Sequence, residues 1–285
     1  MLKPCSEQAL ISYMDFVYSL ALDPSKSGYP IFNDGIKTKE LFTTLAKDSF
    51  SKEQEDVLLF EYNGVVEGWI QYEWIPVDRY LATTGFYIAT HMEQALQEFL
   101  DFAQRQFRGY DLFLGFPGAN ETAVRFLSSH GFECIEDTFH HTLSLEQYQP
   151  VSGIKDVVRI NEDNYELFAE LHDQIEGYMY WNSPRIYETL DRWIVFVKLE
   201  DGKPVGNVYF KAAVEGIYSI YGVDLRDNIF RPQAFLDLMH SSLRTVTELG
   251  GKYVISFCEK EKVPSMRELG FHYVGEYIAF QRRLP

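Results

Sequence analysis

The chain is short of cysteine, of long apolar runs and of positive charge, and each shortage removes a class of function. Its three cysteines, Cys5, Cys134 and Cys258, are odd in number and share no metal-type spacing. Neither a disulfide framework nor a zinc site is expected, and a reducing compartment is the default. No apolar stretch approaches the ~18 residues of a membrane-spanning helix. The opening Met1-Leu2-Lys3-Pro4 passes into Ser6-Glu7-Gln8 and an amphipathic helix without the apolar centre of a signal sequence. A soluble, cytoplasmic protein is expected. Lys and Arg total 26 against 42 Asp and Glu, a net charge of −16, so binding nucleic acid or an anionic membrane would work against the field of the whole molecule. A neutral or cationic small molecule suits that field better, although the same charge serves solubility alone.

Against these absences stands an internal repeat. Asn63-Gly64-Val65-Val66-Glu67-Gly68 and Asp201-Gly202-Lys203-Pro204-Val205-Gly206 lie 138 residues apart in a chain of 285. Each follows an apolar run, Val57–Phe60 or Ile194–Val197, and Asn-Gly or Asp-Gly between apolar runs is the strongest short-range hairpin signal. Downstream the match continues through helical patterns at 92–107 and 233–249 to His130-Gly131-Phe132 and Leu269-Gly270-Phe271. Around these, each half reads as two helices, a three-strand meander, a long helix, a strand, a short helix and a last strand, at 132–143 and 271–282. The polar stretch Gln147–Gly153 separates the series. Two α/β domains with mixed sheets are expected, residues 1–148 and 149–285, and 46% hydrophobic residues suffice for two cores.

This order of elements, with the two hairpins ending at Gly68 and Gly206 and the runs Asn120–Phe132 and Met266–Phe271, resembles the GNAT superfamily of N-acetyltransferases, in tandem. The resemblance implies acetyl-CoA, with no metal, in a splay between the fourth and fifth strands, its pyrophosphate on the start of the third helix. The family's pyrophosphate loop is glycine-rich, so that backbone N–H groups can approach the phosphates. The corresponding stretches here, Tyr87–Gln94 and Val223–Ala234, contain no glycine. The family's tyrosine acid would fall at Leu127 or Met266, and neither can donate a proton. In the second half Pro232 suits a helix start, and Arg226 and Arg231 flank it; they either bind phosphate or cover acids such as Asp224, Asp227 and Asp237. With Gln233 and the backbones of Val223 and Leu225 they form the expected cofactor set. In the first half Glu93 opposes phosphate, so that half is the expected degenerate partner.

For the acceptor, Tyr178, Tyr180 and Trp181 cluster between the early helices of the second half, either as core or as an aromatic lining for a cationic amine. Glu176 and Asp224 are the nearest carboxylates, and Tyr221 lies on the adjoining strand. An amine of pKa ~10.4 needs ~4–5 kcal/mol to expose its lone pair at neutral pH; a base at Asp224 or Glu176, with Tyr221 beside it, would lower that cost. His140-His141 on a strand point to opposite faces and cannot ligate one metal. The expected function is acetyl transfer from acetyl-CoA to a small amine by direct attack, the alternative a catalytically silent scaffold that binds a ligand or partner. A homo-oligomer stays open.

Overall fold

In a computed structural model of the protein, residues 1–176 and 180–285 are described, and the chain forms two compact units. Unit 1 comprises Met1–Thr138 with Gly275–Pro285, and unit 2 comprises Phe139–Val274. The first series of elements is β1 (Leu2–Pro4), α1 (Glu7–Ala21), α2 (Lys39–Asp48), β2 (Glu55–Tyr62), β3 (Val65–Ile75), β4 (Tyr80–Ile88), α3 (Met92–Gln106), β5 (Asp111–Pro117), α4 (Glu121–Ser129) and β6 (Glu133–Ser144). The second is β7 (Val157–Arg159), α5 (Glu166–Glu176), α6 (Ser183–Glu188), β8 (Ile194–Glu200), β9 (Lys203–Val214), β10 (Ile217–Leu225), α7 (Pro232–Glu248), β11 (Tyr253–Cys258), α8 (Val263–Glu268) and β12 (His272–Arg283). No helix among the described residues is long and apolar enough to cross a membrane.

Local chemistry accounts for the boundaries. The hydroxyls of Ser6 and Thr38 accept from the N–H groups of Ala9 and Leu41, and the Asn120 and Asn182 amides do the same for Ala123 and Arg185. Each such cap is worth about 0.5–2 kcal/mol. Both hairpins turn through left-handed residues, Asn63 and Gly64 in one and Asp201 and Gly202 in the other, the conformation that two-residue hairpins require. The third strand of each meander then carries one extra residue, Thr84 on β4 and Tyr221 on β10. In unit 1, α3 and α4 pack on one face around Phe99 and Phe116, and α1 and α2 on the other around Trp69. In unit 2, α7 and α8 cover Phe235 and Leu238, and α5 and α6 cover Phe168 and Trp193.

The expected boundary lies at 148/149, and the compact units divide at 138/139 and 274/275, with β6 shared equally between the units and most of β12 in unit 1. Tyr277–Arg283 of β12 runs antiparallel to β5, giving unit 1 the strand order β1-β2-β3-β4-β5-β12. Phe139–Ser144 of β6 runs antiparallel to β11, giving unit 2 the order β6-β11-β10-β9-β8-β7. The exchange carries apolar side chains with it. Phe280 and Leu284 are 2% and 1% exposed in the unit 1 core, and Leu143 and Leu145 are 6% exposed in that of unit 2. Burying a side chain of this size contributes about 1.5–3 kcal/mol. Deleting Gly275–Pro285 is therefore expected to raise amide exchange across Leu112–Phe116 by at least about tenfold, since β5 keeps only its short pairing to β4; exchange followed by mass spectrometry reads this directly.

Candidate functional site

In both units a parallel strand pair starts together and then parts. Pairing of β4 with β5 covers Tyr80–Ala82 against Asp111–Phe113, and pairing of β10 with β11 covers Ile217–Ile220 against Tyr253–Ser256. The first ladder ends at Ala82, two residues before the bulged Thr84, and the second at Ile220, directly before the bulged Tyr221. Past these points the facing strand edges carry backbone donors and acceptors that need partners.

Unit 1 supplies them from its own chain. The segment Lys26–Tyr29 lies in the opening: Gly28 N–H donates to Phe86 O at 2.6 Å, Tyr29 N–H to Gly115 O at 2.8 Å, and Ile88 N–H to Lys26 O at 3.0 Å. The Asn120 amide adds a bond to Ser27 O at 3.1 Å. A side chain at position 28 would meet Phe86 Cβ at 3.0 Å, Gly115 O at 3.1 Å and Phe116 at 3.2 Å, so glycine fits there. The start of α3 is closed as well. The Glu67 carboxylate accepts from His91 N–H at 3.1 Å, from the Thr90 hydroxyl at 2.8 Å and from His91 Nδ1 at 2.8 Å. Burial alone would raise the Glu67 carboxyl, but these bonds outweigh it and hold it below the ordinary carboxylate range. A protein carboxylate thus stands where the helix start would attract a phosphate.

Among the described residues, no backbone segment bonds across the opening of unit 2. Among the described residues, what crosses it is the Lys262 ammonium, which donates to Val223 O at 3.1 Å and pairs with Glu259 at 2.7 Å. The turn from β10 into α7 carries Asp227 and Asn228 with φ of 62° and 53°. These are the non-glycine types that tolerate a left-handed backbone best, and they do the turning for which a glycine-rich loop was expected.

No protein-family model matches the sequence, and no curated protein does. Solved structures do. A GCN5-related N-acetyltransferase from Sphaerobacter thermophilus aligns over 100% of this chain and 95% of its own, with a TM-score of 0.67 and 13% identity. A tandem GNAT protein from the clavulanic acid biosynthesis pathway aligns over 100% and 98%, with a TM-score of 0.57 and 12% identity. A GCN5-related glucosamine N-acetyltransferase region of a fungal multi-domain protein aligns over 99% of this chain and 38% of its own, at 0.60 and 10%. The fold is that of the GCN5-related N-acetyltransferases. Its splay between the fourth and fifth strands of the meander series is the feature both units share.

Within this GNAT fold the expected cofactor residues lie together at the open end of β10, but their polar groups already have partners. Arg226 Nε donates to Pro204 O at 2.6 Å and its Nη2 faces Glu170 at 3.4 Å; Arg231 faces Glu200 at 3.3 Å. The arginines cover acids, though not Asp224, Asp227 or Asp237. Gln233 donates to Asp237 at 2.8 Å. Both Arg–Glu contacts are partly solvent-exposed, and such pairs contribute about 0–1 kcal/mol, so exchanging them for a phosphate costs little.

Asp224 does not stand open as a base. It is 5% exposed, and its carboxylate lies 2.8 Å from His172 Nδ1, while His172 Nε2 lies 2.8 Å from Trp181 O. Both ring nitrogens thus lie at hydrogen-bond distance from oxygen atoms. His172 stacks on Phe168 at 4.6 Å, and Tyr209 meets it edge-on at 4.8 Å. The pair straps the Trp181 backbone to β10. Asn207, opposite Asp224 in the β9–β10 register, is fully buried with neither amide atom hydrogen-bonded. Glu176 ends α5, but its side chain, like all of Tyr178, lies outside the described residues.

The aromatic faces expected to draw a cationic acceptor are covered by the protein's own cations. Arg185 lies over the Tyr180 ring at 4.2 Å. The Lys211 ammonium sits 3.9 Å from the Trp181 ring centre, 4.3 Å from that of Trp193 and 4.9 Å from that of Tyr221. Burial, and after it the charge of Arg192, push the Lys211 ammonium down to about 8, while the ring faces pull the other way. Trp193 and Lys211 were absent from the sequence reading. A signal existed for Lys211: it lies two residues from Tyr209 on β9 and so shares its face, a charge beside a buried aromatic. Among the described residues, no group of three or more His, Cys, Asp or Glu is placed to hold a metal ion.

Two stability outcomes follow from these packings. Gly28→Ala should cost about 1–3 kcal/mol through overpacking. His172→Ala, which leaves a buried carboxylate unpaired, should cost about 3–5 kcal/mol. Denaturant unfolding of each variant against the parent measures both.

Proposed function

We propose that unit 2 transfers an acetyl group from acetyl-CoA to a small amine, and that unit 1 is its structural, cofactor-free relative. The observation that supports this reading is the contrast between the two splays: Lys26–Tyr29 fills one with three backbone hydrogen bonds, whereas among the described residues the other is crossed by the Lys262 side chain. In unit 2 the backbones of Val223 and Leu225 belong to the free edge of β10, where N–H groups can hold an acyl carbonyl in place. Arg226, Arg231 and Gln233 stand around the α7 start, where positive charge and helix N–H groups favour phosphate. Bound there, acetyl-CoA supplies an activated acyl group. In this reading Asp224 and His172 are positioning residues that hold the Trp181 backbone, Glu176 accepts the acceptor's proton, and Tyr221, at the bulge beside the splay, contacts the acyl end.

A second reading, a silent scaffold, draws on one specific feature: Lys262 occupies the Val223 carbonyl and both arginines rest on glutamates. Calorimetric titration with acetyl-CoA decides between the two. One molecule bound per chain is expected, weakened about ten- to hundredfold by Arg226→Ala with Arg231→Ala, since a hydrogen bond to a charged group is worth about 1.5–3 kcal/mol. Glu67→Gln should leave the affinity unchanged. Absence of any binding heat, confirmed by unaltered thermal stability at high acetyl-CoA, would turn the assignment to the scaffold.

A further inference from the structure

The ring surface that would hold an acceptor amine in unit 2 holds an amine of the chain itself. Lys211 Nζ lies within 5 Å of three ring centres, Trp181, Trp193 and Tyr221. Among the described residues no carboxylate is within ion-pair distance of it, in contrast to Lys198, Lys262 and Lys37. The cage is closed on the Trp193 side, which is 5% exposed, and open on the Tyr221 side, which is 42% exposed. Tyr221 is also the bulged residue at which β10 leaves β11. The ammonium therefore stands beside the mouth of the unit 2 splay, reachable from solvent and paired with no carboxylate among the described residues.

We propose that Lys211 is an acylation site of this protein, taking the acyl group of an acyl-CoA bound in the unit 2 splay. The inference rests on the cofactor reading above and adds to it an acceptor that belongs to the chain. In the step, neutral Lys211 Nζ attacks the thioester carbonyl carbon. A C–N bond forms, the C–S bond breaks, and the thiol of coenzyme A leaves with the proton shed by the nitrogen. The product is a neutral amide, so the ring faces lose the charge they held. Reactivity favours this lysine over exposed ones. With the amine pushed down to about 8, the neutral fraction at pH 7.5 is roughly two hundred times that of a lysine of pKa ~10.4. A weaker base is a weaker nucleophile, which leaves a net advantage of about tenfold in initial rate.

The full-length protein is incubated at pH 7.5 either with acetyl-CoA or with limiting N-hydroxysuccinimidyl acetate, and acetylated peptides are quantified by mass spectrometry. Lys155 and Lys252, both exposed, serve as internal references. With the chemical donor, Lys211 should be labelled about tenfold faster than the references, and Trp181→Gly, which opens the cage to water, should reduce that lead. With acetyl-CoA, Lys211 labelling should saturate with donor concentration and disappear in the Arg226→Ala, Arg231→Ala variant, which keeps its reaction with the chemical donor. Binding of acetyl-CoA by calorimetry with Lys211 left unmodified overturns the inference and spares the proposed function. Absence of both binding and labelling overturns the two together, and labelling of Lys211 at the pace of the references by both donors overturns the claim of a built site.

Discussion

Where two parallel strands part, their facing edges are left with backbone N–H and C=O groups that cannot stay buried without partners. The chain meets this constraint in two ways. In unit 1 the segment after α1 enters through an isolated antiparallel bridge, Ser27 to Tyr87, and the opening it closes is committed to structure. In unit 2, among the described residues, Lys262 is what reaches across the edges past Ile220 and Ser256. Among the described residues, one scaffold geometry therefore gives an edge paired by backbone in one unit and an edge met by a lysine side chain in the other. The difference lies in a segment outside the sheet, since both units carry a bulge beside the separation.

The helix starts beside the two splays repeat the contrast. At α3 the dipole and the free N–H groups are met by Glu67, held by Thr90 and His91, with the Tyr62 ring stacked on His91 at 3.6 Å. At α7 the start is Pro232, and Arg226 and Arg231 stand near it on surface glutamates. An internal anion satisfies one helix start permanently; exchangeable ion pairs surround the other.

A net charge of −16 describes the whole chain and misleads about this site. Lys211, Arg185 and Arg192 gather around the aromatic cluster, and Arg226, Arg231 and Lys262 around the splay. Cations and rings select one another locally, at distances of a few ångströms, whereas the long-range field is screened beyond a Debye length of about 8 Å at physiological ionic strength. The buried His172–Asp224 pair belongs to the same arrangement. It binds the Trp181 backbone and so sets the wall of the cage, the kind of geometric role a buried pair can fill even when its net stabilisation is small.

Signals that act over a few residues were legible in the chain alone. Asn63-Gly64 and Asp201-Gly202 announced two hairpins because few other pairs accept a left-handed backbone, whereas the caps at Ser6, Thr38, Asn120 and Asn182 emerge from the structure. The repeat of these signals, with alternating and helical apolar periods between them, was enough for the meander, the crossover helices and the fold. What it could not place were pairings made over long sequence separations. Nothing local distinguishes β12 paired with β5 from β12 paired with β11, because both partners offer the same apolar edge and the choice is made by which core receives Phe280 and Leu284. Asp224 read as a free carboxylate because His172 lies 52 residues away, and Trp181 read as a lining for a foreign cation because Lys211 reaches it from another strand. The sequence by itself determined the elements and their order; only the tertiary structure decided which strand closes which sheet, which splay stays open and which charges are already paired, since those depend on side chains that meet through folding and not through neighbourhood in the chain.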